Sequence, residues 1–169
     1  MTIVRKITTA AELAEAHRVR QAVFTGEQGF DASLDIDDFD QHCTHWLLLP
    51  KELDTTPHGM TDALTSPAMS PDTSIAGHGL GTIRFGKTES YHTLGRLCVL
   101  KTARRAGNGQ KLVRAVHDHA RSVGIPQLMI HSQHDKVGFY LGLGYKVDDP
   151  VPFDEDGMPH IHMSIDLHS

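Results

Sequence analysis

Residues 93–113 read T-L-G-R-L-C-V-L-K-T-A-R-R-A-G-N-G-Q-K-L-V. The apolar run from Thr93 to Leu100 reads as a strand. It passes into a turn holding Arg104, Arg105, Gly107 and Gly109, which opens into an amphipathic helix over Gln110 to Val123. Leu112, Val113, Val116, Ala120 and Val123 form the inner stripe of that helix. Gly124 ends it and Pro126 prevents its continuation. The first turn of any helix leaves backbone N–H groups without intrahelical partners, and the macrodipole adds partial positive charge there. Glycines let a phosphate approach the backbone, and the two arginines add charge, so the turn suits an anion.

The details narrow the anion. A P-loop requires G-x-x-x-x-G-K-[ST], which is absent. A dinucleotide fingerprint requires a third glycine where Leu112 stands. What the chain carries is R-x-x-G-x-G from Arg104 to Gly109, between strand and helix. The plain alternative is a glycine-rich surface turn with two solvated arginines.

Outward from this stretch, Gln127 to Ser132 reads as an apolar strand and Lys136 to Leu143 as a short helix closed by Gly144. The tail from Val147 to Leu167 reads as a hairpin around Glu155-Asp156-Gly157. Toward the N-terminus, Ile75 to Phe85 reads as a strand joined to the next by a turn at Lys87 to Ser90. His45 to Leu49 reads as a buried strand and Ile3 to Thr8 as a short first one. Between these two, Leu13, Ala16, Val19, Val23 and Phe24 repeat at helical spacing over Ala10 to Phe24. Thr9 or Thr8 caps that helix, and Glu12 stands at the capping-box distance from Thr9. Gly26 to His42 is turn-rich and acidic. Residues 54–74, with Pro57, Pro67 and Pro71 and no apolar period, read as a mobile insertion that the fold does not need. Nothing repeats internally. The expectation is one α/β domain over residues 1–169, a central mixed, mostly antiparallel sheet flanked by helices.

Composition excludes other classes. The charged share of 22% and hydrophobic share of 39% are those of an ordinary globular chain. A net charge of −5 without a basic run argues against nucleic acid. No run is long and apolar enough for a membrane span, and the start lacks a basic-then-apolar leader, so a cytoplasmic protein is expected, the nucleus not excluded. Cys43 and Cys98 make no disulfide framework. The 13 histidines raise metal binding, through His117 with His119, His160 with His162, or Cys43 with His45. Alternate positions share a face on a strand but not on a helix. No C-x-x-C or H-E-x-x-H accompanies them, so no metal is expected.

R-x-x-G-x-G between strand and helix resembles the pyrophosphate-binding signature of the GNAT acyltransferases. A second segment, Ser132 to Lys146, S-Q-H-D-K-V-G-F-Y-L-G-L-G-Y-K, resembles that family's short helix, with Phe139-Tyr140 and then Leu143-Gly144-Tyr145. Arg20 to Phe24, Glu27-Gln28, Asp40, His45 and the stretch Glu155 to Met163 are similar to the ElaA-like branch. The resemblance covers most of the chain apart from residues 54–74. It implies a GNAT fold, acetyl-CoA as cosubstrate and transfer of the acetyl group to an amine through a tetrahedral intermediate. It also implies that Arg104, Arg105, Gly107, Asn108, Gly109 and Gln110 hold the donor's phosphates. Leu97, Cys98 and Val99 would align the pantetheine and polarise the thioester, with Gln133 assisting.

The resemblance further implies that Tyr140 is the acid to the leaving thiolate, a role that suits a phenol, whose pKa near 10 keeps it protonated at neutral pH. Two residues compete as base: Glu27, by its place in the longer matching segment, and His160, by its intrinsic chemistry. Cys98, mid-strand with no assigned histidine partner, reads as core rather than as a nucleophile. A small-molecule N-acetyltransferase leads, against a protein lysine or N-terminal acetyltransferase and a non-catalytic acyl-CoA sensor. The acidic stretch Asp31 to Asp40 would draw a cationic acceptor, or is simply a solvated loop. The oligomeric state stays open, a homodimer among the options.

Overall fold

The computed structural model describes residues 1–53 and 75–168. The insertion expected at residues 54–74 lies outside them. The chain begins with β1 (Thr2–Lys6), α1 (Ala10–Arg20) and β2 (Thr44–Pro50), then β3 (Gly81–Lys87) and β4 (His92–Val99). After α2 (Asn108–Ser122) come β5 (Gln127–Gln133), the one-turn helix α3 (Val137–Leu141), β6 (Lys146–Glu155) and β7 (Met158–Asp166).

Every paired strand is antiparallel. The order is β1-β2-β3-β4 in one sheet and β5-β7-β6 in the other. β4 and β5 lie side by side without a ladder, so the two sheets part there. The mixed, mostly antiparallel sheet expected from the sequence is thus two antiparallel sheets with an open seam. α2 lays its apolar stripe over that seam: Leu112, Val113, Val116 and Ala120 are fully buried with Leu48, Ile83, Leu128, Ile130 and Met163 from both sheets. Fully burying each such aliphatic side chain contributes about 1.5–3 kcal/mol.

Local signals explain the boundaries. The capping box forms: Thr9 Oγ1 accepts from Glu12 N–H at 3.2 Å, and Glu12 Oε2 accepts from Thr9 N–H at 3.2 Å. α1 does not end cleanly but widens into a π-helical segment, Gln21–Glu27. Gly124, at φ 77°, terminates α2. Asp156 and Gly157, at φ 53° and 81°, make the tight turn between β6 and β7. The strand expected from Ile75 starts only at Gly81. Residues 75–78 instead form a turn, because Glu15 on α1 takes the N–H groups of Gly77 (3.1 Å) and Gly79 (2.6 Å).

Candidate active site

β4 is bulged. Its register with β3 passes from Thr82↔Cys98 to Arg84↔Gly95, three steps on β4 against two on β3. Arg96, inside the bulge, adopts a left-handed φ of 49°. Its guanidinium holds it there, Nε donating to the Asp35 carbonyl at 3.1 Å and Nη2 to the Leu34 carbonyl at 3.0 Å. A bulge interrupts the ladder and re-aims the strand. Leu97, Cys98 and Val99 follow it and line a cavity of about 710 Å³ that occupies the seam.

One end of the cavity is the start of α2. Gly107 sits at the N-cap position with φ 72°, a conformation that strains any side chain. The first helical bond runs from Lys111 N–H to Gly107 O at 3.0 Å. Asn108, Gly109 and Gln110 therefore have N–H groups with no partner inside the helix. Arg105 and Lys136 bring positive charge to the same wall.

Arg104 does not. Its Nε donates to Val99 O at 2.9 Å, and its two terminal nitrogens grip both oxygens of Glu27 at 2.6 and 2.7 Å. Asn108 also turns its side chain into the protein. Its Oδ1 accepts from Thr2 Oγ1 at 2.6 Å and its Nδ2 donates to Ala103 O at 2.8 Å. At this end the groups without a hydrogen-bond partner among the described residues are main-chain N–H groups, Arg105 and Lys136, while the Arg104 and Asn108 side chains bond within the protein.

Tyr140 is buried on α3, edge-on to Phe139 and Tyr145, with ring centroids 5.1 and 5.3 Å away. Burial raises its pKa, so it stays protonated. Among the described residues its hydroxyl has no hydrogen-bond partner. Gln133 lines the middle of the cavity and donates to Gln28 Oε1 at 3.1 Å. Cys98 packs on Val19 and Val23, and burial pushes its thiol up to about 12, which leaves no thiolate for nucleophilic work. The hydrogen bonds from Arg104 hold the Glu27 carboxyl below its ordinary range. That is the wrong direction for a base.

The other end is a sheet face. β5–β7 pairing sets Gln133 opposite His160 and His131 opposite His162, and β6–β7 pairing sets Phe153 opposite His160 and Glu155 opposite Met158. Paired residues share a face. His160 Nδ1 lies 2.9 Å from the Met158 carbonyl, which can only accept, so Nδ1 carries the proton. In the neutral ring Nε2 is then the lone-pair nitrogen. Glu155 Oε1 accepts from His131 Nδ1 at 2.9 Å, and Oε2 lies 3.6 Å from His160 Nε2. Sequence reasoning placed Glu155 in a hairpin and missed it as a site residue. The Asp156-Gly157 turn fixes the register that brings Glu155 and His160 to one face, and that was the available signal.

The acidic stretch is solvated only in part: Asp31, Asp37 and Asp38 are exposed, whereas Asp35 and Asp40 are buried and matched by cations of the chain itself. Arg20, fully buried, donates Nε to both oxygens of Asp35 (3.0 and 3.1 Å) and Nη1 to Asp40 (2.6 Å). Arg84 reaches Asp37 at 2.8 Å and Asp40 at 3.0 Å, and His17 Nε2 lies 2.9 Å from Asp40. Burial alone would raise the Asp40 pKa, but the bonds from His17, Arg20 and Arg84 outweigh it and hold the carboxyl well below its usual range.

His117 and His119 are structural. His117 bonds the Tyr145 hydroxyl at 2.8 Å, burial lowering its pKa to about 4, and His119 packs on Trp46 and Phe85. His160 and His162 do share a strand face, as their spacing predicts, with Phe153 between them. Among the described residues no three His, Cys, Asp or Glu side chains converge as metal ligands. No helix there is long and apolar enough to cross a membrane.

The architecture is that of acyl-CoA N-acyltransferases. A structure of that description from Pseudomonas aeruginosa superposes with a TM-score of 0.70 at 19% identity, over 98% of this chain and 99% of the other. Escherichia coli ElaA superposes at 0.73 with 19% identity, over 98% and 99% of the two chains. A candidate N-acetyltransferase from Lactobacillus plantarum reaches 0.74 with 27% identity over 98% of each. The family model described as acetyltransferase (GNAT) domain matches residues 58–167. A candidate acetyltransferase of Bacillus subtilis (strain 168) is 32% identical over 95% of this chain and 94% of its own length. The chain belongs to the GNAT acetyltransferase family.

Proposed function

We propose that the protein transfers an acetyl group from acetyl-CoA to the nitrogen of a small primary amine by direct attack. One observation carries the reading. The start of α2, the main chain beyond the β4 bulge, the buried Tyr140 phenol and the His160 imidazole, whose Nε2 is uncommitted, all line a single cavity. Asn108, Gly109 and Gln110 N–H with Arg105 would take the donor's pyrophosphate, and Leu97 to Val99 would align its arm beside Gln133. The neutral amine nitrogen bonds the thioester carbon to give a tetrahedral intermediate, and the carbon–sulfur bond breaks as that intermediate collapses. His160 Nε2 takes the proton that the nitrogen sheds, and Tyr140 Oη protonates the departing sulfur.

His160 is preferred to Glu27 because Arg104 occupies both oxygens of Glu27. The cavity of about 710 Å³ must take the donor's arm as well as the acceptor, and the space left for the acceptor favours a small one over a protein surface. Incubation with acetyl-CoA and a panel of amines and peptides tests the reading, with thiol release followed and products weighed by mass spectrometry. Acetylated small amines are expected. Acetylated peptides alone would move the acceptor to proteins, and tight acetyl-CoA binding without transfer to any acceptor would leave a sensor.

A further inference from the structure

The hydrogen-bond inventory at the Glu155–His160 contact does not close. His160 Nδ1 is committed to the Met158 carbonyl at 2.9 Å, so the Nε2 of the neutral ring offers a lone pair. Glu155 Oε1 is committed to His131 Nδ1 at 2.9 Å. His131 is itself steadied by Tyr91 Oη, 3.5 Å from its Nε2, and by the ring of Phe153 at 5.0 Å. That leaves Oε2 facing His160 Nε2 across 3.6 Å, beyond direct hydrogen-bond distance. Two acceptors aimed at one point call for a donor with more than one N–H, carrying positive charge to suit the carboxylate. A primary ammonium is such a donor.

The surroundings select its body. Phe24, Phe30 and Leu34 wall the same cavity, and Leu34 is 46% exposed, an apolar side chain with room beside it. Arg84 and Arg96, which also line it, are already matched by Asp35, Asp37 and Asp40 and by the carbonyls of Leu34 and Asp35. They hold no free anion site for a carboxylated acceptor, although, with the His131 hydrogen bond, the Arg96 charge also helps keep the Glu155 carboxyl ionised. We infer that Glu155, clamped by His131, is the ammonium anchor of the acceptor site and that the acceptor is a primary amine with an apolar body, seated on Phe30 and Leu34. This rests on the acetyltransferase reading and names its substrate class. The ammonium bridges Glu155 Oε2 and His160 Nε2 from the cavity side; it loses its first proton to solvent, and the neutral amine then attacks and sheds its second to His160.

Binding of 2-phenylethylamine to the full chain in the presence of CoA, measured by calorimetry, tests the anchor without turnover. The wild type should bind it, and Glu155→Gln should weaken it about ten- to hundredfold, as loss of a charged hydrogen bond does. CoA affinity should not change. His131→Asn, which frees Glu155 but keeps its charge, should weaken amine binding less. Leu34→Asp should erase the preference for phenylethylamine over spermidine. Equal binding by wild type and Glu155→Gln overturns the anchor, and stronger wild-type binding of spermidine or of a lysine peptide overturns the apolar body. Amine and CoA binding as expected, with no acetyl transfer, would overturn the enzymatic reading alone and leave the amine site standing.

Discussion

The two ends of the cavity are built by opposite means. The proposed donor end is one contiguous stretch, Leu97 to Gln110, and it offers main-chain groups: a bulged strand, a left-handed glycine and the open N–H groups of a helix. The acceptor end is assembled from the π-helical segment, the acidic loops, β5 and the β6–β7 turn, and it works through side chains. Backbone recognition fits a constant ligand such as a pyrophosphate, because it survives most substitutions. Side-chain recognition can be rewritten one residue at a time.

Gly109→Glu should have the largest effect, because it strikes the contiguous end. A Cβ at Gly109 would already approach the Phe139 ring to 3.3 Å, and the carboxylate would stand among the N–H groups offered to phosphates. Calorimetry should find no measurable CoA binding while circular dichroism shows a folded chain. Undiminished affinity would break the comparison at its firmer side.

Asp40→Asn probes the scaffold of the assembled end. Removing one partner of a buried ion pair costs about 3–5 kcal/mol, to be read from urea unfolding. The sign with pH follows from the depressed pKa of Asp40. Its contribution is full above the unfolded value of about 3.9 and is lost as pH falls through the lower folded value. Wild-type stability should therefore decline as pH drops below about 4, and the decline should be shallower in Asp40→Asn. Parallel curves would mean that Asp40 contributes no pH-linked stability.

Tyr140→Phe tests the link between the ends. Loss of the hydroxyl should lower kcat on the order of 10²-fold, with acetyl-CoA affinity nearly unchanged. An unaltered kcat with rate-limiting chemistry would make Tyr140 a packing residue between Phe139 and Tyr145.

What was legible beforehand divides along the same line. The strand–turn–helix of residues 93–123 and the Phe139-Tyr140 helix could be read because each is local, with glycines marking its corners. The bulge could not, since nothing in T-L-G-R-L-C-V announces that β3 skips a partner. The buried network could not either, although Arg20 stands four residues after Ala16 on the inward stripe of α1, where a charge demands a partner. Those partners, Asp35 and Asp40, lie 15 and 20 residues away on irregular chain. Charge alone made that chain look solvated.

The smallest effect is expected at Glu27, and it is the most discriminating. By position Glu27 belongs to the acceptor segment, which is why the sequence favours it as base. By contact it belongs to the donor end, bound to Arg104 through both oxygens while Arg104 Nε holds Val99 O. Glu27→Gln should leave one hydrogen bond to Arg104 and change kcat/KM by about fivefold or less, since exposed ion pairs contribute little. What changes should appear in acetyl-CoA affinity, through a looser Arg104 and the strand end it holds. A fall of two orders in kcat, with CoA binding intact, would return the base to Glu27. The salt bridge with Arg104 would then have to open for each turnover, and the two ends would be a single coupled device.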